Sequence, residues 1–339
     1  MGHELAETSF LCHKRRMQHT PTALIVAGPT CSGKSALAFS LAQLFDGVII
    51  NADSIQVYRD LRVLTARPSE AEMQAVPHRL YGVLDAAENG SVAWWRRRAL
   101  NEMEAALELG KLPIFCGGTG MYLRALIEGL VEVPEPGPEA RAQAREKLAV
   151  EGPEALYAAL QSIDPDAIRR IAPADGQRLA RVWEVWRGTG KTLSWWRQKS
   201  RLPAASCRFI ALRLDPPRDA LRAAIAARFD VMLDHGAIEE VTALRARNLA
   251  PSLPAMRAHG VPELVAFLDG NMTLAMARER ATLATGQYTR RQATWFRHHE
   301  LASDSFTYNL SQRFEQSTQF SERTLEDLEI FIRMRLTRC

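Results

Sequence analysis

Within eight residues, Gly28-Pro29-Thr30-Cys31-Ser32-Gly33-Lys34-Ser35, the chain places two glycines, an ammonium and a hydroxyl. Glycine permits a tight backbone path around phosphate oxygens, Lys34 supplies positive charge, and the Ser35 hydroxyl is a hard donor able to ligate Mg²⁺. The apolar run Ala23-Leu24-Ile25-Val26-Ala27 precedes this stretch and Ala36-Leu37-Ala38 follows it, so strand, phosphate loop and helix are predicted in that order. The free N–H groups and positive dipole end of the helix add to the loop, which should hold a diphosphate or longer chain. Which molecule carries the phosphates is left open.

Two further groups point to the same edge. Val48-Ile49-Ile50 turns polar at Asn51-Ala52-Asp53-Ser54, the pattern of a buried parallel strand delivering a carboxylate where ligands gather in an open α/β sheet. A third strand is predicted over Leu112-Pro113-Ile114-Phe115-Cys116, ending in Gly117-Gly118-Thr119-Gly120. This second glycine turn should let backbone approach a ligand closely and set the Thr119 hydroxyl beside Asp53.

The elements that must position these groups belong to a 339-residue chain with 47% apolar and 24% charged residues and a formal net charge of +4. Such a composition reads as a soluble globular protein, mildly basic and so compatible with an RNA or diphosphate partner. Five scattered cysteines without paired ligand spacing argue against a disulfide framework or zinc site and for a reducing, cytoplasmic setting. No apolar run approaches the ~18 residues of a membrane span. Residues 1–20 read as a disordered basic tail.

The predicted class is α/β: a P-loop NTPase-like parallel sheet flanked by helices, over residues 21–133 and 202–302, interrupted by an all-helical insertion at 134–201. The linker Val133-Pro134-Glu135-Pro136-Gly137-Pro138 opens that insertion. In it, Arg178 and Arg181 share a helix face, suited to a nucleic-acid backbone or to solvent, and Trp183, Trp186, Trp195 and Trp196 read mostly as core. Arg96-Arg97-Arg98 reads as a solvated face of the helix over 92–109. The sheet resumes at Phe209–Leu214; beyond it, Arg228 borders an apolar stripe and could reach inward. A long helix from about Leu274 to His299 sets Gln287, Arg291 and Thr294 on one face, with arginines and aromatics interleaved as RNA contacts require. Residues 303–339 read as a polar, weakly patterned C-terminal tail that turns amphipathic from Leu325 to Leu336, with no chemistry assigned.

With these residues in place, the chain resembles the tRNA dimethylallyltransferase family over about residues 22–300. The likeness rests on an ordered set of motifs: the phosphate loop; Ala52-Asp53-Ser54-Ile55-Gln56-Val57-Tyr58; Thr65-Ala66-Arg67-Pro68; Pro77-His78-Arg79-Leu80; and Gly117-Gly118-Thr119-Gly120-Met121-Tyr122. Further on come Asp175 to Arg181, Gly190-Lys191-Thr192, Arg228-Phe229 and the run from Gln287 to Arg297. The resemblance implies transfer of a dimethylallyl group from dimethylallyl diphosphate to N6 of adenosine 37, beside the anticodon of tRNAs reading codons that begin with U. It implies that the phosphate loop holds the diphosphate, with Lys34 and Arg228 neutralising charge and Ser35 near Mg²⁺, that Asp53 is the general base, and that Thr119 positions the amine. It further implies tRNA contacts by Asp53, Ser54, Ile55, Gln56, Thr119 and Arg141; by Gln177, Arg178, Leu179, Ala180 and Arg181; by Arg257, Ala258, His259, Gly260, Val261 and Pro262; and by Gln287 and Arg291. A monomer is expected on the same ground. The chain departs from the pattern at Cys31, where relatives carry Ala or Gly, at Ala224, where many carry arginine, and after Gly260, where a Tyr and a basic residue are missing.

Two rivals share parts of this description. A small-molecule or nucleoside kinase would use the phosphate loop for ATP, yet no arginine-rich lid follows the third strand and the Gly117 turn is unexplained. A non-catalytic RNA-binding protein switched by a nucleotide would explain the basic helices and leave Asp53 and Thr119 idle.

Overall fold

In the computed structural model, residues 20–199, 201–315 and 319–337 are described. The basic tail expected before residue 21 lies outside them apart from Thr20. The strands are β1 (Thr22–Ala27), β2 (Gly47–Asn51), β3 (His78–Arg79), β4 (Leu112–Gly117), β5 (Leu130–Val131), β6 (Arg201–Leu202), β7 (Arg208–Leu214) and β8 (Thr307–Leu310). Six of them form one wholly parallel sheet in the order β3-β2-β4-β1-β7-β8. β1 runs at its centre with Ala23 to Ala27 fully buried, as a strand covered on both faces must be. Register sets Ala27 opposite Gly117 on one side and Arg213 on the other, so the loops after β1, β4 and β7 leave from one level. Chain order reverses beside β1, which opens a crevice at the carboxyl ends of the strands.

Helix α1 (Lys34–Leu44) buries Leu37 and Leu41 against Leu24, Val26, Ile49 and Ile114 on one face. The opposite face carries Trp95, Phe115, Tyr122 and Phe296 in a second apolar layer that also holds Phe229 and Met232 of α2 (Arg218–Asp234). Phe296 comes from α3 (Leu274–His298), the long helix expected from its periodicity.

Two expectations are corrected. The stretch after Ser303 is not a tail. β8 pairs in parallel with β7, from Ala211 opposite Thr307 to Leu214 opposite Leu310, and α4 (Gln319–Leu336) buries Leu328 and Ile332 on the first apolar layer. A four-residue edge strand, only one of whose side chains is buried, carries too little alternation to be read. In the arginine run, Arg97 and Arg98 are exposed, but Arg96 is buried and its Nε donates to the Ala125 carbonyl at 2.8 Å. No helix among the described residues is long and apolar enough to cross a membrane.

Residues 128–204 form a separate compact unit. Its helices span Gly137–Ile163, Pro165–Ile168, Gly176–Thr189 and Leu193–Lys199, the first broken at Gly152 ahead of Pro153. The antiparallel pair β5–β6 joins Leu130 to Leu202 and so brings the ends of the unit together; strands of two residues leave no periodicity to detect. Leu156, Leu160, Ile168, Leu179 and Val182 are its core. The four tryptophans are only half-buried, meeting edge to face as Trp183–Trp186 and Trp195–Trp196.

Candidate active site

The phosphate loop turns tightly from β1 into α1. Gly33 takes a left-handed φ of 90° at the helix N-cap, and a Cβ there would lie 2.0 Å from the Phe314 carbonyl oxygen. Both the turn and the close approach therefore demand glycine. Cys31 is also left-handed, at φ 65°, with its side chain against Leu221, Ile225 and Ala224. Lys34 is half-buried and its Nζ donates to the Pro29 carbonyl at 3.3 Å. Burial holds its ammonium below the ordinary lysine range, and the charge of Asp53 opposes that shift. An anion in the loop would oppose it further.

Asp53 stands just past the end of β2 in a turn built by Asn51. The fully buried Asn51 accepts the Asp53 N–H at 2.9 Å and donates to the carbonyls of Asp53 and Leu80, each at 3.0 Å. Oδ1 of Asp53 accepts from the N–H groups of Ile55 and Gln56 at 2.9 and 3.3 Å. Among the described residues Oδ2 has no hydrogen-bond partner and is available to a ligand. The side-chain amide of Gln56 donates to the carbonyls of Thr65 and Ala66 at 2.7 and 3.2 Å, so this expected tRNA contact is partly engaged within the protein.

Thr119 lies close behind Asp53. Its Oγ1 accepts the Ser54 N–H at 2.9 Å, and its own N–H donates to the Ala52 carbonyl at 3.1 Å. Burial pushes the pKa of the Tyr288 hydroxyl up to about 12, so it stays protonated. Gln292, 4% exposed, accepts the Thr30 N–H at 2.9 Å and donates to the Gly118 carbonyl at 2.9 Å. One buried amide thus ties α3 to the phosphate loop and to the turn after β4. That turn is tight for a reason other than the expected ligand approach. Cβ atoms at Gly117, Gly118 and Gly120 would lie 2.2 to 2.3 Å from Ala52, Gln292 and Trp295 respectively, so it is protein that occupies the space.

Two cavities meet at this edge. The first is lined by Lys34, Ser35, Ala224, Arg228, Arg313 and Phe314. The second sets an apolar wall of Leu64, Ile225, Phe229 and Met232 against polar and charged groups that include Tyr288, His259, Arg257 and Arg291. Thr30, Cys31, Asp53, Gln56, Thr65 and Arg228 line both. The structure therefore brings Asp53 and Arg228 to the junction of a cationic compartment and a cavity with one apolar wall. Burial pushes the His259 imidazole below its ordinary pKa, and its ring lies 5.0 Å from that of Tyr288. The guanidinium of Arg291 lies 5.6 Å from the Tyr288 ring, and Arg257 and Ala258 complete that wall.

Other sequence-predicted residues are placed elsewhere. Gln287 lines a separate cavity with Arg222 and Arg290, which parts it from Arg291. Val261 and Leu179 are fully buried core residues, and Gly260 packs against Leu64 and Phe229, whereas Pro262 and Gln177 in the same segments are exposed. In the 128–204 unit, Arg141 pairs with Glu135, Arg178 with Asp175 at 3.2 Å and Arg181 with Glu184 at 2.6 Å, while Ala180 is half-buried.

Sequence reasoning did not assign Gln292, Tyr288, Arg313 or Glu240 to the site. Glu240 accepts three backbone N–H groups, of Arg62, Val63 and Leu64, at 2.5, 2.7 and 3.0 Å, and so pins the segment that delivers Leu64 and Thr65 to the cavity wall. A glutamate in a helical run gives no hint of a partner about 180 residues away. Glu240→Ala is expected to lower unfolding free energy by about 2–3 kcal/mol, because three donors lose a charged acceptor. Urea denaturation checks it, and an unchanged midpoint would contradict the pinning role.

A family model described as IPP transferase matches residues 56–299. The chain belongs to the IPP transferase family. It is 59% identical to a tRNA dimethylallyltransferase of Gluconobacter oxydans, across 93% of this chain and 95% of that one. It is 58% identical to one of Gluconacetobacter diazotrophicus, across 92% and 94%. Among solved structures it is similar to the tRNA isopentenylpyrophosphate transferase of Bacillus halodurans, with a TM-score of 0.64 at 29% identity, covering 94% of this chain and 97% of that one. It is also similar to a eukaryotic dimethylallyltransferase described as acting on tRNA, with a TM-score of 0.75 at 26% identity over 92% and 79%. Membership of the IPP transferase family removes the ground for the kinase reading, which rested on the phosphate loop alone.

Proposed function

We propose that the protein is a tRNA dimethylallyltransferase that moves the dimethylallyl group of dimethylallyl diphosphate to N6 of adenosine 37, in tRNAs reading codons that begin with U. The observation that carries this reading is the junction at Asp53 and Arg228, where a cationic phosphate compartment meets a second cavity with an apolar wall of Leu64, Ile225, Phe229 and Met232. Diphosphate would sit on the loop between Lys34 and Arg228, and the five-carbon chain would lie against Ile225, Phe229 and Met232. Each buried methylene there is worth about 0.8 kcal/mol.

The exocyclic amine attacks the allylic carbon as the carbon–oxygen bond to diphosphate breaks. The amine is weakly basic and becomes acidic only as the new bond forms, so Oδ2 of Asp53 can take its proton during attack. Charge developing on diphosphate falls on Lys34, Arg228 and the backbone N–H groups of the loop. The Ser54 N–H, donating to Oγ1, holds Thr119 in place beside this event. Adenosine 37 must leave its stack to reach Asp53, at a cost of about a few kcal/mol that pocket contacts offset.

Ser35 is exposed in the phosphate compartment and offers a hard hydroxyl oxygen, which fits Mg²⁺. Among the described residues no group of three or more His, Cys, Asp or Glu could hold a metal alone, so the ion would share its ligands with substrate phosphates. Bound there, Mg²⁺ would supply charge neutralisation of the leaving group. We place the enzyme in the cytoplasm, as a monomer.

Incubating the purified protein with dimethylallyl diphosphate, Mg²⁺ and unmodified tRNA bearing A36-A37, then weighing the digested nucleosides, tests the proposal. One prenyl group gained on adenosine 37 is expected. No gain, with ATP consumed under the same conditions, would overturn it.

A further inference from the structure

The cationic compartment has a wall that none of the sequence motifs supplies. After β8, residues 311–315 run across the phosphate loop. The Phe314 N–H donates to the Ser32 carbonyl at 3.1 Å, the Phe314 ring is buried, and its carbonyl closes on Gly33. Next to it, Nε of Arg313 donates to the Cys31 carbonyl at 2.8 Å. That bond fixes the guanidinium over the loop while Arg313 lines the same cavity as Lys34, Ser35 and Arg228. Its Nη1 meets Oε1 of Glu315 at 2.7 Å, and the side chains of Arg313 and Glu315 are 29% and 49% exposed.

From these positions we infer that Arg313 is a third cation of the diphosphate site, contributed by the C-terminal segment, and that Glu315 competes with the ligand for it. The inference rests on the reading that this compartment takes a diphosphate. The placement favours it because Arg313 shares one cavity with Lys34, Ser35 and Arg228, while Ala224, on the same wall, offers no charge. Arg313 suits this role because Nε anchors the fork on a backbone carbonyl, and the Nη groups can donate to phosphate oxygens in bidentate fashion. Glu315 holds those groups in the absence of ligand and is more exposed, so the exchange costs little solvation.

Inorganic pyrophosphate, titrated into the full-length protein with Mg²⁺ present, is the probe. Arg313→Ala is expected to weaken its binding about tenfold or more, the loss of one or two charge-assisted hydrogen bonds. Arg313→Lys should fall between, keeping charge without the anchor. Glu315→Gln should tighten binding about two- to fivefold by removing the competitor. Affinity for tRNA serves as the control for a distorted fold and is expected to hold in all three variants. Pyrophosphate binding unchanged in Arg313→Ala would overturn the inference. So would a weakening by Glu315→Gln, which would mean that the pair merely braces the loop; this sign stands even if Arg313→Ala fails to fold. Failure of the unaltered protein to bind pyrophosphate at all would instead count against the diphosphate reading itself.

Discussion

Asp53→Asn is expected to lower single-turnover prenyl transfer by about 10²–10⁴-fold, the usual contribution of a positioned general base, while tRNA affinity stays nearly unchanged. Asparagine is the informative substitution. Oδ1 of Asp53 accepts two backbone N–H groups that shape the turn over residues 53–56, and an asparagine oxygen can keep both. What disappears is the capacity of the second oxygen to take a proton. Asp53→Ala removes base and turn acceptor together, so it should match the loss in turnover and add a loss of stability of about 1–2 kcal/mol. The order of effects is the test. An Asn variant with the turnover of the unaltered enzyme and an Ala variant without activity would make Asp53 a turn-former and leave the proton to another group.

The second large effect is expected at Gln292, which touches neither cavity. Gln292→Leu keeps the size of the side chain but leaves the Thr30 N–H and the Gly118 carbonyl without their partner in a buried setting. The expected cost is about 2–4 kcal/mol of stability. Because Thr30 belongs to the phosphate loop and lines both cavities, KM for dimethylallyl diphosphate should rise by about tenfold or more. Gly118→Ala attacks the same junction from the other side, since its Cβ would lie 2.2 Å from Nε2 of Gln292. If the two act through one contact, the double variant Gly118→Ala with Gln292→Ala should cost less than the sum of its parts. Strict additivity, read from urea midpoints, would argue that the amide does not tie α3 to the loop.

The groups that carry local chemistry were legible in the chain because their requirements are local. A phosphate loop needs glycines, a lysine and a hydroxyl at set spacing, and a strand that turns polar at Asn51-Ala52-Asp53 announces a carboxylate at the ligand edge of a sheet. The alternation of strands and helices likewise determined the α/β class, since a wholly parallel sheet forces a crossover between strands. Only the tertiary structure decided what stands opposite these groups. Gln292 is one amide in a polar helix until packing removes it from water, where its unpaired alternatives become costly. Glu240 finds its three N–H partners across 176 to 178 positions of chain, and Arg313 its carbonyl across 282. Arg96 reads as a solvated charge by composition, yet it is buried, with its Nε donating to the Ala125 carbonyl. The segment after Ser303 shows the same limit most plainly: four residues acquire meaning only as an edge strand paired with β7, and one arginine only where the chain after them crosses the phosphate loop. Sequence records which interactions a residue can make, and the sharing of buried space settles which of them it does make.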